Sequence, residues 1–499
     1  MKILHINTGQ TGGASMCAIR ISNALKQQGV ETRMLVQAGE SHDDITVAEK
    51  DRPFLDRNKF LIKVKHLLIR LGLYEDEDSL WYERNKAMPN ADEVVYTNVP
   101  LTSYKNIAHH PLVEWADLIH LHWVACFVDY PTFFKEVKKP IVWTLHDHFP
   151  AIGIMHFCSE HTPLPRQLTA FDRKCLDIKK KALLMRISEF KEKGHKEYGV
   201  YPVAISEMMR GIIGNSDVLG DFPCTLIHNG VDTTVFKDYS GCQSVGVSEC
   251  QGMNVSEFQS FNVSEGRNNQ KPASRNAEIK NLETIAFLFS SYGLWVERKG
   301  LARVIEALER VQEGYHGFRV SECQNVNVSE FQSFTVSEEQ SNKYVKTRNF
   351  ETLKLKLICV GDNEGRQPKS GIIEIVETGL VNDNVEMARL YSQADFYIQA
   401  SYHEAFSQTN LEAMSCGTPV ISTPCSGAAD LIRPFNGVLC DGFEVDDIAN
   451  GIRAALSQTY DRKEIRNFII ENYDYPVIAR KYIELYDKIL GKNESSIQQ

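Results

Sequence analysis

Residues 395–423, DFYIQASYHEAFSQTNLEAMSCGTPVIST, contain a strand, a helix and a second strand in that order. The run 395–399 is mainly apolar and has the length of a strand, 405–416 has the length of a helix, and 419–423 is a second short run of strand length. Strands that alternate with helices and are apolar along nearly their whole length are typical of a parallel sheet covered on both faces. This stretch therefore predicts an α/β fold.

The same alternation of strands and helices occurs in two series along the chain. The first series contains the segments 2–6, 14–28, 31–36, 118–123, 141–146, 203–206 and 225–227. The second contains 284–290, 300–311, 356–360, 372–376, 384–393, 395–399, 405–416, 419–423 and 438–440. Two such series predict two doubly wound, Rossmann-like domains that face each other across a cleft, with ligands outside the carboxyl ends of the strands.

Four segments follow from this organisation. We predict a first domain at 1–235, a linker at 236–283, a second domain at 284–475 with an insert at 320–345, and a C-terminal helix within 476–499 that returns to the first domain.

Two stretches, 247–266 and 320–339, repeat each other closely, and Val-Ser-Glu recurs every eight residues in each. Three short repeats are too little to bury a core. We therefore predict poorly ordered, solvated loops that emerge away from the cleft. A ribbon that docks a partner is the alternative.

The composition restricts the class of protein. The 499 residues are 43% hydrophobic and 24% charged, which is typical of a folded globular chain. The formal net charge of −10 argues against a general nucleic-acid binder, because phosphates require a basic surface. No nucleic-acid partner is predicted.

The cysteines and the N-terminus predict a cytoplasmic location. The twelve cysteines form no CxxC pair, and residues 1–7 are too short for the apolar core of a signal peptide. A metal cluster of Cys158 and Cys175 with His156 and His161 is a weaker interpretation than isolated thiols, so no metal site is predicted.

Residues 60–74, FLIKVKHLLIRLGLY, interleave basic and apolar side chains. We expect a helix packed on the first domain with a solvated basic edge. The alternative is a helix that lies on an anionic membrane, which would place the protein peripherally on the inner face.

Several polar residues with the potential for ligand chemistry follow predicted strands. The glycine loop at 9–13 opens a helix, whose N-terminus could approach an anion. His146 ends another strand and could bond a ligand hydroxyl. Arg298 and Lys299 precede a helix N-terminus, where the dipole disfavours cations, and a bound phosphate would resolve this conflict. A tight turn, a structural histidine and a solvated basic turn are the respective alternatives.

Glu404 and Glu412 form the most specific pattern. Glu404 follows the strand at 395–399, and Glu412 comes eight residues later, flanked by apolar side chains. A carboxylate near a buried face requires partners, and it can accept two sugar hydroxyls at once. Residues 405–408 are predicted to form a helix N-terminus that suits an anion. The alternative is a helix-capping carboxylate followed by a surface glutamate.

The Glu404-x7-Glu412 pattern with its continuation AMSCGTPV at 413–420 resembles the retaining GT-B glycosyltransferases of family 4, the glycosyl transferases group 1. Four further segments are similar to the family pattern: Gly12-Gly13, the IHNGVD segment at 227–232, Arg298-Lys299-Gly300 and Ser426-Gly427-Ala428. The resemblance covers most of the chain apart from the repeats. It implies a GT-B fold whose first domain binds the acceptor and whose second domain binds a nucleotide sugar.

The resemblance also implies a function. A sugar would pass from a UDP or GDP donor to a glycan or lipid-linked acceptor in cell-surface polysaccharide synthesis, with retention and without a metal or another cofactor. The acceptor hydroxyl would attack from the front face, and the leaving phosphate would take its proton. A nucleotide-sugar epimerase or phosphorylase on the same fold, and a catalytically silent nucleotide-sugar-binding protein, are the alternatives.

Roles carry over by position. Glu404 would contact the transferred sugar, His146 would lie near the reacting centre, and Lys299 with Arg298 would neutralise the diphosphate. Glu412 would bind the ribose. The remaining donor-binding residues implied are Gly12, Gly13, Phe406, Ser407, Gly361 and Asp362. Ser407 stands where the family often has glycine, and an arginine usual near the end of the strand 284–290 is absent, so Arg298 would substitute for it.

Overall fold

A computed structural model of the protein describes residues 1–51, 56, 58–87, 99–152, 169–240, 283–314 and 353–491. The repeats at 247–266 and 320–339, the insert at 320–345 and most of the predicted linker lie outside the described residues. His156, Cys158 and His161 of the weaker metal interpretation lie outside them as well.

Seven parallel strands form the first sheet. They are β1 (Lys2–Asn7), β2 (Glu31–Val36), β3 (Ile45–Val47), β4 (Leu118–Leu121), β5 (Ile141–Leu145), β6 (Val200–Ala204) and β7 (Thr225–Leu226). Their spatial order is β3-β2-β1-β4-β5-β6-β7. The chain leaves β1 on one side and returns on the other, so a crevice opens at the carboxyl ends of β1 and β4.

The described helices of the first half are α1 (Gly13–Gln27), α2 (Lys59–Arg70), α3 (Glu77–Ala87), α4 (Pro111–Trp115), α5 (Tyr130–Glu136), α6 (Ala170–Ile187) and α7 (Glu207–Gly214). Local chemistry sets several of their starts. The side chain of Ser206 caps α7 at the Met209 amide, and Thr169 and Asp172 form a capping box at α6. Gly12, with φ of 89°, is the N-cap of α1, a conformation that favours glycine.

Six parallel strands form the second sheet. They are β8 (Glu283–Gly293), β9 (Leu353–Asp362), β10 (Glu374–Gly379), β11 (Phe396–Gln399), β12 (Val420–Ser422) and β13 (Gly437–Leu439), in the order β10-β9-β8-β11-β12-β13. The helices described with it are α8 (Leu301–Gly314), α9 (Asn384–Gln393), α10 (Gln408–Ser415), α11 (Ala428–Leu431), α12 (Val445–Leu456) and α13 (Arg462–Tyr473). The strand order reverses between β8 and β11, which places a second crevice at their carboxyl ends. The two-sheet α/β fold is of the GT-B type, as predicted.

The last helix, α14 (Tyr475–Leu490), packs against the first sheet and α1. Its buried face includes Ile478, Tyr482 and Tyr486, which join Ile3 and Leu118 in one apolar cluster. Burial of this aromatic and aliphatic surface stabilises the contact, at roughly 25 cal/mol per Å² of apolar area. The end of the chain therefore ties the second half to the first.

Most elements differ from their predicted bounds by one to three residues, and two of these differences concern the second sheet near the site. The helix predicted from residue 405 begins at Gln408, because Ser407 has φ of 64° and its left-handed backbone cannot continue a helix. The strand predicted at 372–376 is β10, Glu374–Gly379, which begins two residues later. The predicted helix N-terminus at 405–408 is therefore wrong in its first three residues.

Candidate active site

Two loops of the second sheet bring three charged side chains together. Arg298 and Lys299 lie in a short turn before α8, and Glu404 lies in the loop after β11. Lys299 Nζ and Glu404 Oε1 form an ion pair, and Arg298 Nη1 lies 3.9 Å from the same oxygen. The hydroxyl of Ser401 donates to Glu404 Oε1 at 2.8 Å. A backbone bond from the Tyr402 amide to the Arg298 carbonyl, at 2.9 Å, joins the two loops.

The cations control the ionisation of Glu404. Burial by itself would raise the pKa of this carboxyl, but the charges of Lys299 and Arg298 and the hydrogen bonds from Lys299 and Ser401 lower it below the ordinary value. Glu404 is therefore ionised at neutral pH. The side chains of Lys299 and Arg298 are 24% and 39% exposed, so both cations reach the crevice.

Glu412 lies in α10 and belongs to a separate contact. Arg20 Nη1 of α1 lies 3.7 Å from Glu412 Oε1, and the Tyr391 hydroxyl donates to Glu412 Oε2 at 3.4 Å. Burial raises the pKa of Glu412 to about 7, although Arg20 opposes the shift. Its side chain is 12% exposed, so it is a nearly buried carboxyl and the alternative of a surface glutamate is wrong. This ion pair joins the two halves of the protein.

The turn before α10 contains Phe406 and Ser407. The side chain of Phe406 is buried in the core, so any contact with a donor would use its backbone amide. Ser407 adopts a left-handed conformation, which explains why glycine suits this position. Gly427, at the start of α11, approaches the same turn: an added Cβ there would lie 2.6 Å from the Phe406 carbonyl oxygen.

The predicted glycine loop follows β1 and is open. Gly12 and Gly13 are exposed, and an added Cβ at either position would meet no atom within 4 Å. Asn7 and Ser15 brace the loop from below, because Asn7 Nδ2 donates to the Gly9 carbonyl at 2.6 Å and to the Ser15 hydroxyl at 2.9 Å. A ligand can therefore approach the backbone at the start of α1.

Gly361 and Asp362 end β9. An added Cβ at Gly361, where φ is 150°, would lie 1.9 Å from the Ser291 carbonyl oxygen. The close approach of β8 and β9 thus requires this glycine whether or not a donor binds. Asp362 is exposed, and its Oδ1 accepts the Glu364 amide at 2.9 Å. A donor contact at these two residues stays a prediction.

His146 follows β5 and lies at the carboxyl edge of the first sheet. Its Nε2 lies 3.2 Å from His122 Nδ1, and its side chain is almost wholly buried. Burial lowers the pKa of His146 to about 4, so the ring is neutral at neutral pH. His148, two residues later, is likewise lowered to about 4 by burial.

One group of side chains among the described residues has the spacing of metal ligands. Nitrogen atoms of His5, His120 and His122 lie within 4.8 Å of one another, and all three rings are buried. Every ring nitrogen of the group except His5 Nε2 has a hydrogen-bond partner. Apart from His5 Nε2, the ring nitrogens are already hydrogen-bonded to one another and to hydroxyls, so a metal ion would have to displace these bonds.

Three residues of the site, Arg20, Tyr391 and Ser401, were not predicted from the sequence. Ser401 lies directly between β11 and Glu404, a position that the strand-end rule could have included. Arg20 lies seven residues after Gly13, which is about two turns along α1. It is therefore on the same side of the helix as Gly13, and this spacing could have indicated it. No local sequence pattern indicated Tyr391 as a site residue, because only the packing of α9 on α10 brings its side chain to Glu412.

A model of the family described as glycosyl transferases group 1 matches residues 344–472. The matched segment includes β9, β11, α10, Glu404 and Glu412. The chain contains a glycosyl transferases group 1 domain. The group 1 domain accounts for most of the second sheet, whereas Arg298 and Lys299 precede it.

Curated relatives match over a little more than a quarter of the chain. An N-acetylgalactosaminyltransferase of Campylobacter jejuni, which acts on diacetylbacillosaminyl-diphospho-undecaprenol, is 24% identical over 144 residues, or 28% of this chain and 38% of its own length. A GDP-mannose-dependent α-mannosyltransferase of Mycolicibacterium smegmatis is 29% identical over 145 residues, 28% of this chain and 37% of the relative. The chain thus matches less than two fifths of the length of each of these two relatives.

Solved structures share the architecture over nearly the whole chain. A glycosyltransferase from Rickettsia africae has a TM-score of 0.55 and 16% identity, with 98% of each chain covered. Sucrose-phosphate synthase from Thermosynechococcus elongatus has a TM-score of 0.54 and 14% identity, with 98% of this chain and 99% of its own covered. At these identities the likeness shows the fold alone.

Proposed function

We propose that the protein is a retaining glycosyltransferase that moves a sugar from a UDP or GDP donor to a glycan or lipid-linked acceptor. The observation that carries the proposal is the cluster of Lys299, Arg298 and Glu404 at the switch point of the second sheet. Two partly exposed cations beside a carboxylate suit a nucleoside diphosphate sugar, because the cations meet the diphosphate and the carboxylate accepts sugar hydroxyls.

The proposed chemistry rests on the charge that develops on the leaving diphosphate. Lys299 and Arg298 stabilise that charge in the transition state, where it is larger than in the bound donor. The open backbone at Gly12 and Gly13 and the amides of the turn at 406–407 add donors. The acceptor hydroxyl attacks from the face that the diphosphate leaves, and the leaving phosphate takes its proton.

The other polar residues bind and orient the donor in this proposal. Glu412 accepts the ribose hydroxyls, and Arg20 and Tyr391 hold its carboxyl in place. His146 meets the sugar near the reacting centre. No metal is required, because the two cations supply the positive charge that the diphosphate needs.

The direct test incubates the purified full chain with a panel of UDP and GDP sugars and with polyprenyl-diphosphate-linked and free oligosaccharide acceptors. We expect nucleoside diphosphate to appear only when an acceptor is present, the same rate after treatment with EDTA, and an α-linked product from an α-linked donor. Nucleotide release without an acceptor, epimerised donor, or binding without turnover over the whole panel would each contradict the proposal.

We also propose that α2 places the protein on the inner face of an anionic membrane, where a lipid-linked acceptor would be found. Lys65 is the buried residue of the helix, whereas four large apolar side chains of α2 and the turn after it are exposed. Their exposed fractions are 72% for Phe60, 56% for Leu67, 61% for Leu71 and 71% for Leu73.

Lys65 is buried because three carboxylates surround its ammonium. Its ammonium lies 2.9 Å from Asp56 Oδ1, 2.7 Å from Asp76 Oδ2 and 2.5 Å from Asp78 Oδ2. Burial alone would lower the pKa of Lys65, but the hydrogen bonds that its ammonium donates to Asp76, Asp78 and Asp56 raise it, so the lysine stays charged. The ion cluster anchors α2 to the protein through Lys65 and leaves Phe60 and Leu67 exposed.

The charge around the exposed apolar side chains fits anionic lipid. Lys59, Lys63 and Arg70 are exposed on the same helix, and each lysine or arginine near such a surface adds about 1 kcal/mol of attraction. Among the described residues, no helix combines the length and apolar character needed to cross a bilayer. The proposed contact is therefore with the surface of the membrane.

Sedimentation with vesicles tests the membrane contact. We expect binding to phosphatidylglycerol-containing vesicles and weak binding to pure phosphatidylcholine. Leu67→Ser combined with Leu71→Ser should reduce the bound fraction several-fold, since apolar area buried in the lipid is lost. Leu184→Ser is the matched control, because Leu184 of α6 is 58% exposed. Equal loss in both variants, or equal binding to both lipids, would refute the contact.

A further inference from the structure

A chain of three histidine rings runs inward from the cleft edge of the first sheet. His146 Nε2 lies 3.2 Å from His122 Nδ1, and His122 Nε2 lies 2.9 Å from His5 Nδ1. His5 belongs to β1, His122 follows β4 and His146 follows β5, so the chain crosses three adjacent strands. The rings of His5 and His122 are nearly parallel, with an angle of 19° between their planes.

The three rings are neutral. Burial lowers the pKa of His5 to about 3 and that of His146 to about 4, and it lowers the pKa of His122 well below the ordinary value. A neutral imidazole has one N–H donor and one acceptor nitrogen. The position of the proton on one ring therefore determines its position on the next, and only two arrangements satisfy both hydrogen bonds.

The inner end of the chain distinguishes these arrangements. His5 Nε2 is buried and has no hydrogen-bond partner. If the protons lie on Nε2 of each ring, an N–H of His5 is left without an acceptor. If they lie on Nδ1, only a lone pair is left. A buried N–H without a partner is the rarer defect in proteins, so the second arrangement is favoured.

We propose that His122 and His5 are positioning residues that hold His146 in the tautomer with its proton on Nδ1. His146 then has its Nε2 engaged by His122 and presents an Nδ1–H donor to an oxygen of the bound donor sugar. The inference rests on the proposed function for that substrate contact, but the tautomer is a property of the free protein. A group that donates at a defined place discriminates between sugar oxygens more sharply than a ring that rotates.

A second histidine network provides an internal control. His120 Nδ1 lies 2.7 Å from the Tyr486 hydroxyl, and His120 Nε2 lies 2.8 Å from the Thr144 hydroxyl, which in turn lies 2.9 Å from the Tyr482 hydroxyl. His120 is as deeply buried as His122, and the two ring centroids are 4.1 Å apart. Its hydrogen bonds go to α14 and β5 instead of to His146.

Nitrogen NMR of histidine-labelled protein tests the tautomer without any substrate. The signals of His146 are identified by their loss in His146→Gln. We expect one tautomer, protonated at Nδ1, in the wild-type protein and in His120→Leu, and a mixture or the opposite tautomer in His122→Leu. A wild-type His146 protonated at Nε2, or a tautomer that is unchanged in folded His122→Leu, would overturn the proposal.

Steady-state kinetics test the consequence for transfer. We expect His122→Leu to lower kcat by about 10- to 100-fold, as loss of a hydrogen-bonding support for a site histidine does, with the donor KM within about threefold. His122→Asn should restore most of kcat, because its amide can donate from the place of Nδ1. If His122→Leu and His120→Leu lose rate equally, or if Asn does not rescue, the role is merely structural and the proposal is wrong.

Metal analysis of the purified protein tests whether the histidines bind an ion instead of one another. An equimolar zinc ion that is retained by the purified protein and lost in both His5→Asn and His122→Asn would contradict the hydrogen-bonded chain, since the bonded nitrogens would be metal ligands. Should no nucleotide sugar support transfer, the proposed function fails while the NMR result still decides the tautomer.

Discussion

The side chains at the carboxyl edge of the second sheet are charged, whereas the histidines at the carboxyl edge of the first sheet are neutral. At the second sheet, Lys299 and Arg298 keep Glu404 ionised by lowering its pKa. At the first sheet, burial without an adequate counter-charge keeps His146 and His122 neutral. The difference follows from the neighbours: a buried acid beside two cations stays charged, whereas clustered bases lose their protons.

Under the proposed function, this contrast would suit the two halves to different parts of one substrate. A protein with a net charge of −10 repels phosphate as a whole, so the attraction must be local. The charged edge offers two cations to a diphosphate. The neutral edge offers hydrogen bonds to hydroxyls without attracting an ion. Variants of the charged residues test whether the second sheet binds the diphosphate of the donor.

The largest effect is expected from loss of the principal cation. Lys299→Ala should lower kcat about 100-fold or more, because one stabiliser of the leaving charge is removed. The measurement is the rate of nucleotide release at saturating donor. Lys356→Ala is the matched control: it breaks the pair of Lys356 with Glu374, 2.8 Å long, at the opposite end of the same sheet. Comparable losses in the two variants would remove Lys299 from the site.

The charged pair should act as a unit. Glu404→Ala is expected to cost about 100-fold in kcat, and the double variant Lys299→Ala/Glu404→Ala should lose little more than either single variant, since each removal leaves its partner misplaced. The same rate assay completes the double-mutant cycle. Fully additive losses would show that the two residues contribute independently, against the geometry of the ion pair.

Donor affinity should change with pH through Glu412. Its pKa of about 7 predicts that the affinity rises about tenfold from pH 6 to pH 8, because the ionised carboxyl accepts ribose hydroxyls better than the protonated one. The rings of His5 and His146 titrate near 3 and 4 and contribute nothing in this range. Calorimetric titration with the donor at several pH values measures the effect. Glu412→Gln should flatten it, and an unchanged slope in that variant would assign it to another group.

The same carboxyl should affect stability with the opposite sign. Its pKa is higher in the folded protein than in the unfolded chain, so its contribution to stability is present below about pH 4.5 and is lost as the pH rises through 7. Glu412→Gln should therefore gain stability relative to the wild type at pH 8 compared with pH 5. Thermal unfolding at both pH values checks this independently of any donor.

The smallest effect concerns the contact between the halves. Arg20→Met removes the cation 3.7 Å from Glu412, so we expect donor affinity at pH 7 to fall about threefold and the pH midpoint to move upward. Lys26→Met is the control, since Lys26 of the same helix pairs with Asp44 instead. An unchanged midpoint would mean that Arg20 does not act on Glu412.

The charged residues of the predicted site were chosen from local sequence. Glu404, Lys299 and Arg298 follow strand ends or precede a helix, and parallel sheets bring such places to one edge. Glu412 was chosen from its spacing after Glu404, and it lies inside α10. The structure brings Lys299 and Glu404 together as an ion pair between two loops that are 105 residues apart, a contact that the sequence did not predict. The left-handed turn at Ser407 could not be predicted, since serine has no intrinsic preference for it and the surrounding packing imposes it.

The sequence by itself determined the α/β class, the order of strands and helices, and the charged residues at the strand ends, because periodicity and motif spacing are local properties. Only the tertiary structure decided that Arg20 meets Glu412, that α2 buries a lysine and exposes leucines, and that His5, His122 and His146 form one chain. Those contacts depend on which strands are neighbours in the sheet and on how strongly each group is desolvated by burial. A short stretch of sequence predicts neither.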